Sequence, residues 1–442
     1  MESTMRNFSK LERPLRVQMD VRRSDALKNH FKPLPDELFR RNDFMPLDCD
    51  AFHASWIATV LNLDWPSRSS SRIEDDAERI KRQKEELLRL FDEASEHGIN
   101  AVIFQVSPTA DAFYQSSYLP WSSYLTGTLG KDPGFDPLKF AIQEAHKRGI
   151  ELHAWLNPYR VSMDTKPSTR KELRNSSNES PVSVFKSHPD WVGVSADRYV
   201  LDPGIPAVRE WVTNVTAEVV QKYDIDGIQF DDYFYYETAS SKLDDDKSYA
   251  RFGTRFSSKY EWRRYNTHTL VREISDKIKA IKPNVRFGIS PSGVWRNAAD
   301  DPRGSATRAG KTNYDGDFAD TRRWVKEGMI DYIAPQIYWS FGRKDVSYGT
   351  IAKWWADTVR GTKTDLYIGL ALYRAGSGTT LEPSWQAGEG VTEIKRQLEF
   401  NESLPEVKGS ILFRQGFLSD PKLKGVSNYL KKTWGKCRPR KN

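Results

Sequence analysis

The chain is poor in cysteine: Cys49 and Cys437 are the only two in 442 residues. Two cysteines cannot build a disulfide framework, and no Cys-x-x-Cys pair offers a zinc or redox motif. A single bridge between them stays open, and with it the compartment. Long apolar runs are also missing, since no stretch reaches the ~18 residues of a membrane-crossing helix. The N-terminus, MESTMRNFSKLERPLRVQMD, is basic. It lacks the apolar core of ~7–15 residues that a secretory signal carries. No HExxH or His-x-His spacing occurs, and there is no phosphate loop, zinc-finger spacing or RNA-binding signature. No cofactor and no nucleic-acid partner are expected.

Aromatic residues, by contrast, are plentiful: 14 Trp, 19 Tyr and 21 Phe. They supply enough burial to make a disordered chain an unsuitable reading, and Trp or Tyr on loops suits stacking on sugar rings. The net charge is +7 with a pI near 9.0 and a mean hydropathy of -0.67. Much of the charge sits at the ends, in Arg6, Lys10, Arg13, Arg16, Arg22, Arg23, Lys28 and Lys32, and in a tail ending CRPRKN. Such ends are read as solvated termini, or as attraction to an anionic polymer such as a cell wall. Residues 1–50 are assigned to a basic extension, 51–435 to the folded domain and 436–442 to a basic tail.

From about Phe52 a rhythm begins, in which strand-length apolar runs alternate with amphipathic helical stretches. Eight strands are expected at 55–63, 100–106, 151–157, 225–231, 285–290, 331–339, 366–372 and 409–416. A helix follows each. In the third, Pro206 suits the first turn and Val208, Trp211, Val212, Val215 and Val219 share a face. Strict alternation means a parallel α/β sheet, and eight repeats favour a (β/α)8 TIM barrel. An open sheet would carry a glycine-rich turn after its first strand, and LNLDWPS is not one. The long βα loops, 107–135, 158–204, 232–255 and 291–315, would all lie on the catalytic face. Residues 164–183 read as a flap.

In a barrel, polar groups at the strand C-terminal ends converge. The expected set comprises Asn62, Asp64 and Trp65 after strand one, Gln105 on strand two, and His153, Asn157, Tyr159 and Arg160 on and after strand three. Strand four contributes Asp231, Asp232 and Tyr233, with Glu237 beyond. Strand five contributes Ser290, Ser292, Trp295, Arg296 and Asn297, and strand six Gln336, Tyr338 and Trp339. Tyr373, Arg374, Arg414 and Gln415 complete it. Carboxylates, amides, arginines and aromatics at one mouth suit a sugar site. A glycosidic bond needs an acid for the leaving oxygen and a group that stabilises an oxocarbenium-like transition state.

The stretch 225–237, IDGIQFDDYFYYE, places two adjacent aspartates there. Either alone has a bland alternative, tying down its loop or pairing with Arg160 or Arg264. Both together are read as catalytic, although successive strand residues point opposite ways. Glu237 is a candidate second carboxylate or a solvated loop acid. His153 is a sugar ligand or a satisfied core histidine. The run LDDDK at 243–247 reads as a solvated charge cluster. No metal site is assigned.

Several long stretches carry a family resemblance: FDPLKFAIQEAHKRGIELHAWLNPYR (135–160), YVLDPGIPAVREWV (199–212), DIDGIQFDDYFY (224–235), FGISPSGVWRN (287–297) and DYIAPQIYW (331–339). They resemble the bacterial glycosyl hydrolase-like family that includes DigH, across roughly residues 50–435. That resemblance implies a (β/α)8 hydrolase acting on peptidoglycan glycan strands stripped of stem peptides, in the periplasm or cell envelope, and a monomer is expected. Family members often carry an export signal or lipid anchor, and neither is read in this chain. The adjacent acids also resemble those of N-acetylhexosaminidase barrels. There the 2-acetamido group attacks the anomeric carbon while one acid polarises it and the other protonates the leaving oxygen. On that pattern Asp231 polarises, Asp232 is the acid and Tyr338 holds the acetamido group. In a competing scheme one aspartate is nucleophile or base, with Glu237 as partner. A non-catalytic sugar-binding barrel and a metal-dependent hydrolase or deacetylase are the other two classes.

Overall fold

A computed structural model describes residues 48–176 and 181–437. The basic extension up to residue 47 and the tail from 438 lie outside the described residues. Eight parallel strands close a barrel in sequence order: β1 (Phe52–Ile57), β2 (Ala101–Ser107), β3 (Glu151–Leu156), β4 (Gly227–Phe230), β5 (Arg286–Ile289), β6 (Tyr332–Ile333), β7 (Asp365–Leu370) and β8 (Val407–Leu412), with β8 pairing back onto β1. The helices that follow them are α1 (Asp76–Glu96), α2 (Pro137–His146), α3 (Pro206–Lys222), α4 (Lys259–Ile281), α5 (Thr321–Lys326), α6 (Tyr348–Val359), α7 (Val391–Glu402) and α8 (Lys424–Lys432). This is the (β/α)8 barrel that the alternating pattern implies. β1, β2 and β4 are buried along their whole length, as strands enclosed by helices outside and side chains inside must be.

The strand boundaries depart furthest from expectation at β1 and β6. β1 ends at Ile57 because the chain turns at once, with Leu61 and Asn62 at φ of 55° and 56°. Asp64 pins that turn by accepting from the Ala58 N–H at 2.8 Å. β6 keeps only two ladder residues because Pro335 has no N–H to donate. Pairing resumes at Gln336 through single bridges to Ser292 and Gly369. The expected flap contains a helix at Pro167–Arg174, and residues 177–180 lie outside the described residues.

The lower barrel interior is filled by aromatics set against glycines. Phe52 and Tyr367 stack with centroids 4.2 Å apart, and His153 and Tyr332 lie at 5.4 Å. A Cβ at Gly227 would sit 2.4 Å from the His153 ring, and one at Gly288 only 2.0 Å from Tyr332. Each large ring therefore occupies the volume its neighbouring strand leaves empty. On the outer face of β1, Trp434 stacks on His53 at 4.3 Å. A Cys49–Cys437 disulfide ties the start of the barrel to its last turn, across 388 residues.

Candidate active site

Gly227 and Gln229 occupy alternate positions of β4 and share its inward face, and Asp231 follows directly after the strand's last residue. Gln229 accepts from the Trp56 indole at 2.6 Å within the barrel. Asp231 stands one step higher, at the mouth, and is 3% exposed. Its carboxylate accepts from the Trp155 indole at 3.3 Å, from the Tyr233 N–H at 3.2 Å and from the Asn157 amide. Asn157 is itself held by the Gln105 amide at 2.7 Å.

The strand ends at Phe230, so the alternation rule does not reach Asp232. Asp232 is half-buried and accepts from the Gln336 amide at 3.4 Å. The chain then alternates between site and scaffold. Tyr233 and Tyr236 meet edge to face at 4.5 Å beside the aspartates, whereas Phe234 packs on Trp324 and Tyr235 on Phe318. Opposite, Tyr338 meets Tyr373 at 5.9 Å and Phe413 at 5.8 Å. Arg374 fixes that wall by donating to the Tyr338 carbonyl at 2.7 Å and pairing with buried Glu382 at 2.7 Å.

Burial is the main force on the pair's acidity. It pushes Asp231 up to about 7, Asp232's charge adds to this, and Arg160 opposes it. Burial also raises Asp232, against the pull of Lys311. The two carboxyls are adjacent, so each makes the other harder to ionise and their titration belongs to the pair. Burial, then Tyr373 and the two aspartates, pushes the Tyr338 phenol up, so it stays a donor.

Of the residues expected from the sequence, Asp231, Asp232, Asn157, Arg160, Tyr233, Gln336 and Tyr338 come together. Arg160 stands 5.1 Å from the Tyr233 ring centroid. Several of the others are engaged elsewhere. His153 is on the first half of β3, fully buried at the barrel floor, with its ring bonded to the Tyr332 hydroxyl at 2.8 Å. Tyr159 is buried and feels Arg209 of α3 and Glu273 of α4, behind the barrel wall. Trp295 donates to Asp320 at 2.9 Å and stacks on Trp354. Asn297 spends its amide on Asp300 and the Ala309 carbonyl within its own loop. Trp339 lies against Gly293, where its ring is 3.0 Å from the position of an added Cβ.

Glu237 is not solvated: it pairs with Arg263 at 3.0 Å and accepts from the Leu243 N–H. Asp245, in the LDDDK run, is buried and takes Arg263 and Lys259 at 2.7 and 2.6 Å, so that run is a structural anchor. Arg264 packs on Tyr314 rather than on the aspartates. Asp64 pairs with Arg414, and Asn62 caps the Pro66 and Tyr124 carbonyls, which removes both from the mouth.

Four residues escaped the strand-end reading: Arg198, Tyr236, Lys311 and Asp317. Lys311 pairs with buried Asp317 at 2.5 Å and sits 4.3 Å from the Tyr236 ring centroid. Burial pushes Asp317 up to about 7, against Lys311, and Asp232 adds to the rise. Arg198 and Lys311 fall inside loops 158–204 and 291–315, already assigned to the catalytic face, so their charge was the available signal. Among the described residues no His, Cys, Asp and Glu side chains gather in threes as a metal would require. A cleft of about 840 Å³ lined by Lys139, His146, Lys222 and Tyr223 lies on the helix layer by the N-terminal end of β4, away from this mouth.

Residues 51–387 match the model of the glycosyl hydrolase-like 10 family. The chain belongs to that family. It is 50% identical over 380 residues to glycosyl hydrolase DigH of Escherichia coli K12, covering 86% of each chain. Glycosyl hydrolase YngK of Bacillus subtilis is 48% identical over 362 residues, covering 81% of this chain and 67% of YngK. Among solved structures, the glycoside hydrolase domain of PgaB from Bordetella bronchiseptica superposes with a TM-score of 0.51 at 12% identity, covering 86% of this chain and 99% of that one. An endo-1,4-beta-mannanase from Rhizomucor miehei also gives 0.51, at 13% identity, covering 89% and 96%. At such identities these two neighbours speak for the barrel fold alone.

Proposed function

We propose that this glycoside hydrolase cleaves bonds between N-acetylated sugars of peptide-free peptidoglycan glycan strands, with Asp231 and Asp232 as its working pair. The observation that carries this reading is a pair of adjacent carboxyls at the barrel mouth just past β4, Asp231 buried under three donors and Asp232 half-buried against Gln336. Asp231 is immobilised by three donors, so it suits holding and polarising an acetamido N–H. Asp232 is the more exposed member and delivers the proton to the leaving oxygen. Tyr338 donates to the acetamido oxygen.

The acetamido oxygen attacks the anomeric carbon as the glycosidic C–O bond breaks, giving an oxazolinium ion. Water then opens this ion and returns its proton to Asp232, which restores the acid. The aromatic rings of Tyr233, Tyr236, Tyr338 and Tyr373 supply stacking faces for the sugar rings.

An extracytoplasmic location is part of the same proposal. The Cys49–Cys437 bridge supports it, because such bonds persist in oxidising compartments. The test incubates the protein with peptide-free, acetylated glycan strands, with and without chelator, and weighs the products. Shortened strands that keep their acetyl groups, unaffected by chelator, are expected. Intact strands would sink the reading, and loss of acetyl groups without chain cleavage would replace it with a deacetylase.

A further inference from the structure

Two arginines at the mouth have no ion-pair partner among the described residues. Arg160 is 6% exposed, yet its one side-chain hydrogen bond is from Nε to the Pro108 carbonyl at 2.8 Å. Among the described residues no carboxylate lies within ion-pair distance of it. Arg198 forms no side-chain hydrogen bond or ion pair among those residues, and its Nη1 is buried without a partner. Its guanidinium stands 5.8 Å from the Tyr233 centroid and 5.6 Å from that of Tyr236.

The fold places both arginines deliberately close. Arg198 opens the second strand of a hairpin, Val192–Ser195 and Arg198–Leu201, whose turn residues Ala196 and Asp197 take φ of 49° and 56°. That pattern gives a tight two-residue turn. Arg160 bridges the hairpin at Val200. Both charges therefore rest on one framework beside Asp231 and Asp232.

A buried guanidinium without an anion costs stability, and proteins rarely leave one. Asp111, Asp231 and Asp232 feel the charge of Arg160, but none of them lies within ion-pair distance of either arginine, and Asp317 is taken by Lys311. The spare capacity fits a planar carboxylate on the ligand, which matches the guanidinium fork.

We propose that Arg160 and Arg198 form a subsite for a carboxylate carried on the sugar chain, namely the free lactyl carboxylate of a muramic acid residue. This rests on the glycan-strand reading above and gives it a cause. A stem peptide turns that carboxylate into an amide, which removes the charge and adds bulk. Selection for peptide-free strands then follows from two arginines rather than from the reacting groups.

The test compares peptide-free strands with the same strands after their lactyl carboxylates are converted to methylamides. For the unaltered protein, kcat/KM is expected to favour the free carboxylate roughly 10- to 100-fold, the worth of a charged hydrogen bond. This preference should shrink as ionic strength rises. In Arg198→Gln, with Arg160 still present, the ratio between the two substrates should fall several-fold, and Arg198→Lys should keep more of it. A ratio within one variant is independent of how much of it folds. Equal rates on both substrates for the unaltered protein, a salt-independent preference, or a preference intact in Arg198→Gln would each overturn the subsite while leaving the glycan reading standing. Failure of the unaltered protein to cut either substrate would overturn both.

Discussion

The lower and upper halves of the barrel interior stand on the same strands but treat polar groups in opposite ways. At the floor, His153, Gln229, Tyr332 and Trp56 form a closed set: the ring of His153 bonds Tyr332, and Gln229 reaches both Tyr332 and Trp56. At the mouth, Asp231 is pushed up to about 7 and Arg198 keeps a buried nitrogen unpartnered. Satisfied polar groups hold a structure, and unsatisfied ones are retained where a ligand or a reaction completes them. Height along a strand, more than residue type, separates the two roles.

The comparison breaks most sharply at the aspartates. Asp232→Asn should lower kcat by about 10³-fold or more with circular dichroism unchanged, since the leaving oxygen loses its acid. Activity close to that of the unaltered protein would move the chemistry elsewhere. His153→Ala should do the reverse. It empties a packed aromatic layer and takes one of the Tyr332 hydroxyl's two partners, so denaturant unfolding should report a loss of ~2–4 kcal/mol, while kcat of the folded fraction stays put. A selective fall in kcat would return His153 to the site.

The pH dependence sharpens the contrast. Burial raises both carboxyls above their unfolded values, Asp231 to about 7, so between about 4 and 7 the native pair holds a proton that the unfolded chain releases. Its contribution to stability is largest at the acid end and is lost as pH rises toward 7. Asp231→Asn should therefore gain thermal stability relative to the unaltered protein between pH 5 and pH 8, by an amount on the order of 1–3 kcal/mol. Equal pH profiles would show that the pair is not held as described. The smallest effect belongs to Glu237. With its carboxylate spent on Arg263, Glu237→Gln should change kcat less than about 2-fold and cost ~1 kcal/mol of stability. A collapse of activity would restore it as the second carboxylate.

The same comparison explains what could be read in advance. The eight strands were legible because a strand buried on both faces must be an apolar run, and IFQV or LYIGL cannot be anything polar. Asp231, Asp232, Asn157, Gln336 and Tyr338 were legible because a barrel delivers its strand ends to one place. His153 was misplaced for want of height: the sequence says that it is on β3, but its level depends on Gly227 and Tyr332, two strands from elsewhere in the chain. Glu237 looked like a second carboxylate or a solvated loop acid, and Asp245 like part of a solvated run, because their partner Arg263 is distant in sequence on α4.

By itself, then, the order of residues determined the barrel, since the period and length of its apolar runs allow few other ways to bury them. It also determined that two carboxylates end the fourth strand. Only the tertiary structure decided that both face the mouth, because β4 stops at Phe230 and frees Asp232 from strand alternation. It alone decided which charges are neutralised, because ion pairs form across space between segments whose separation in sequence carries no distance. That is why Arg198, from a hairpin in the loop after β3, stands beside the aspartates of β4 with a nitrogen still unpartnered.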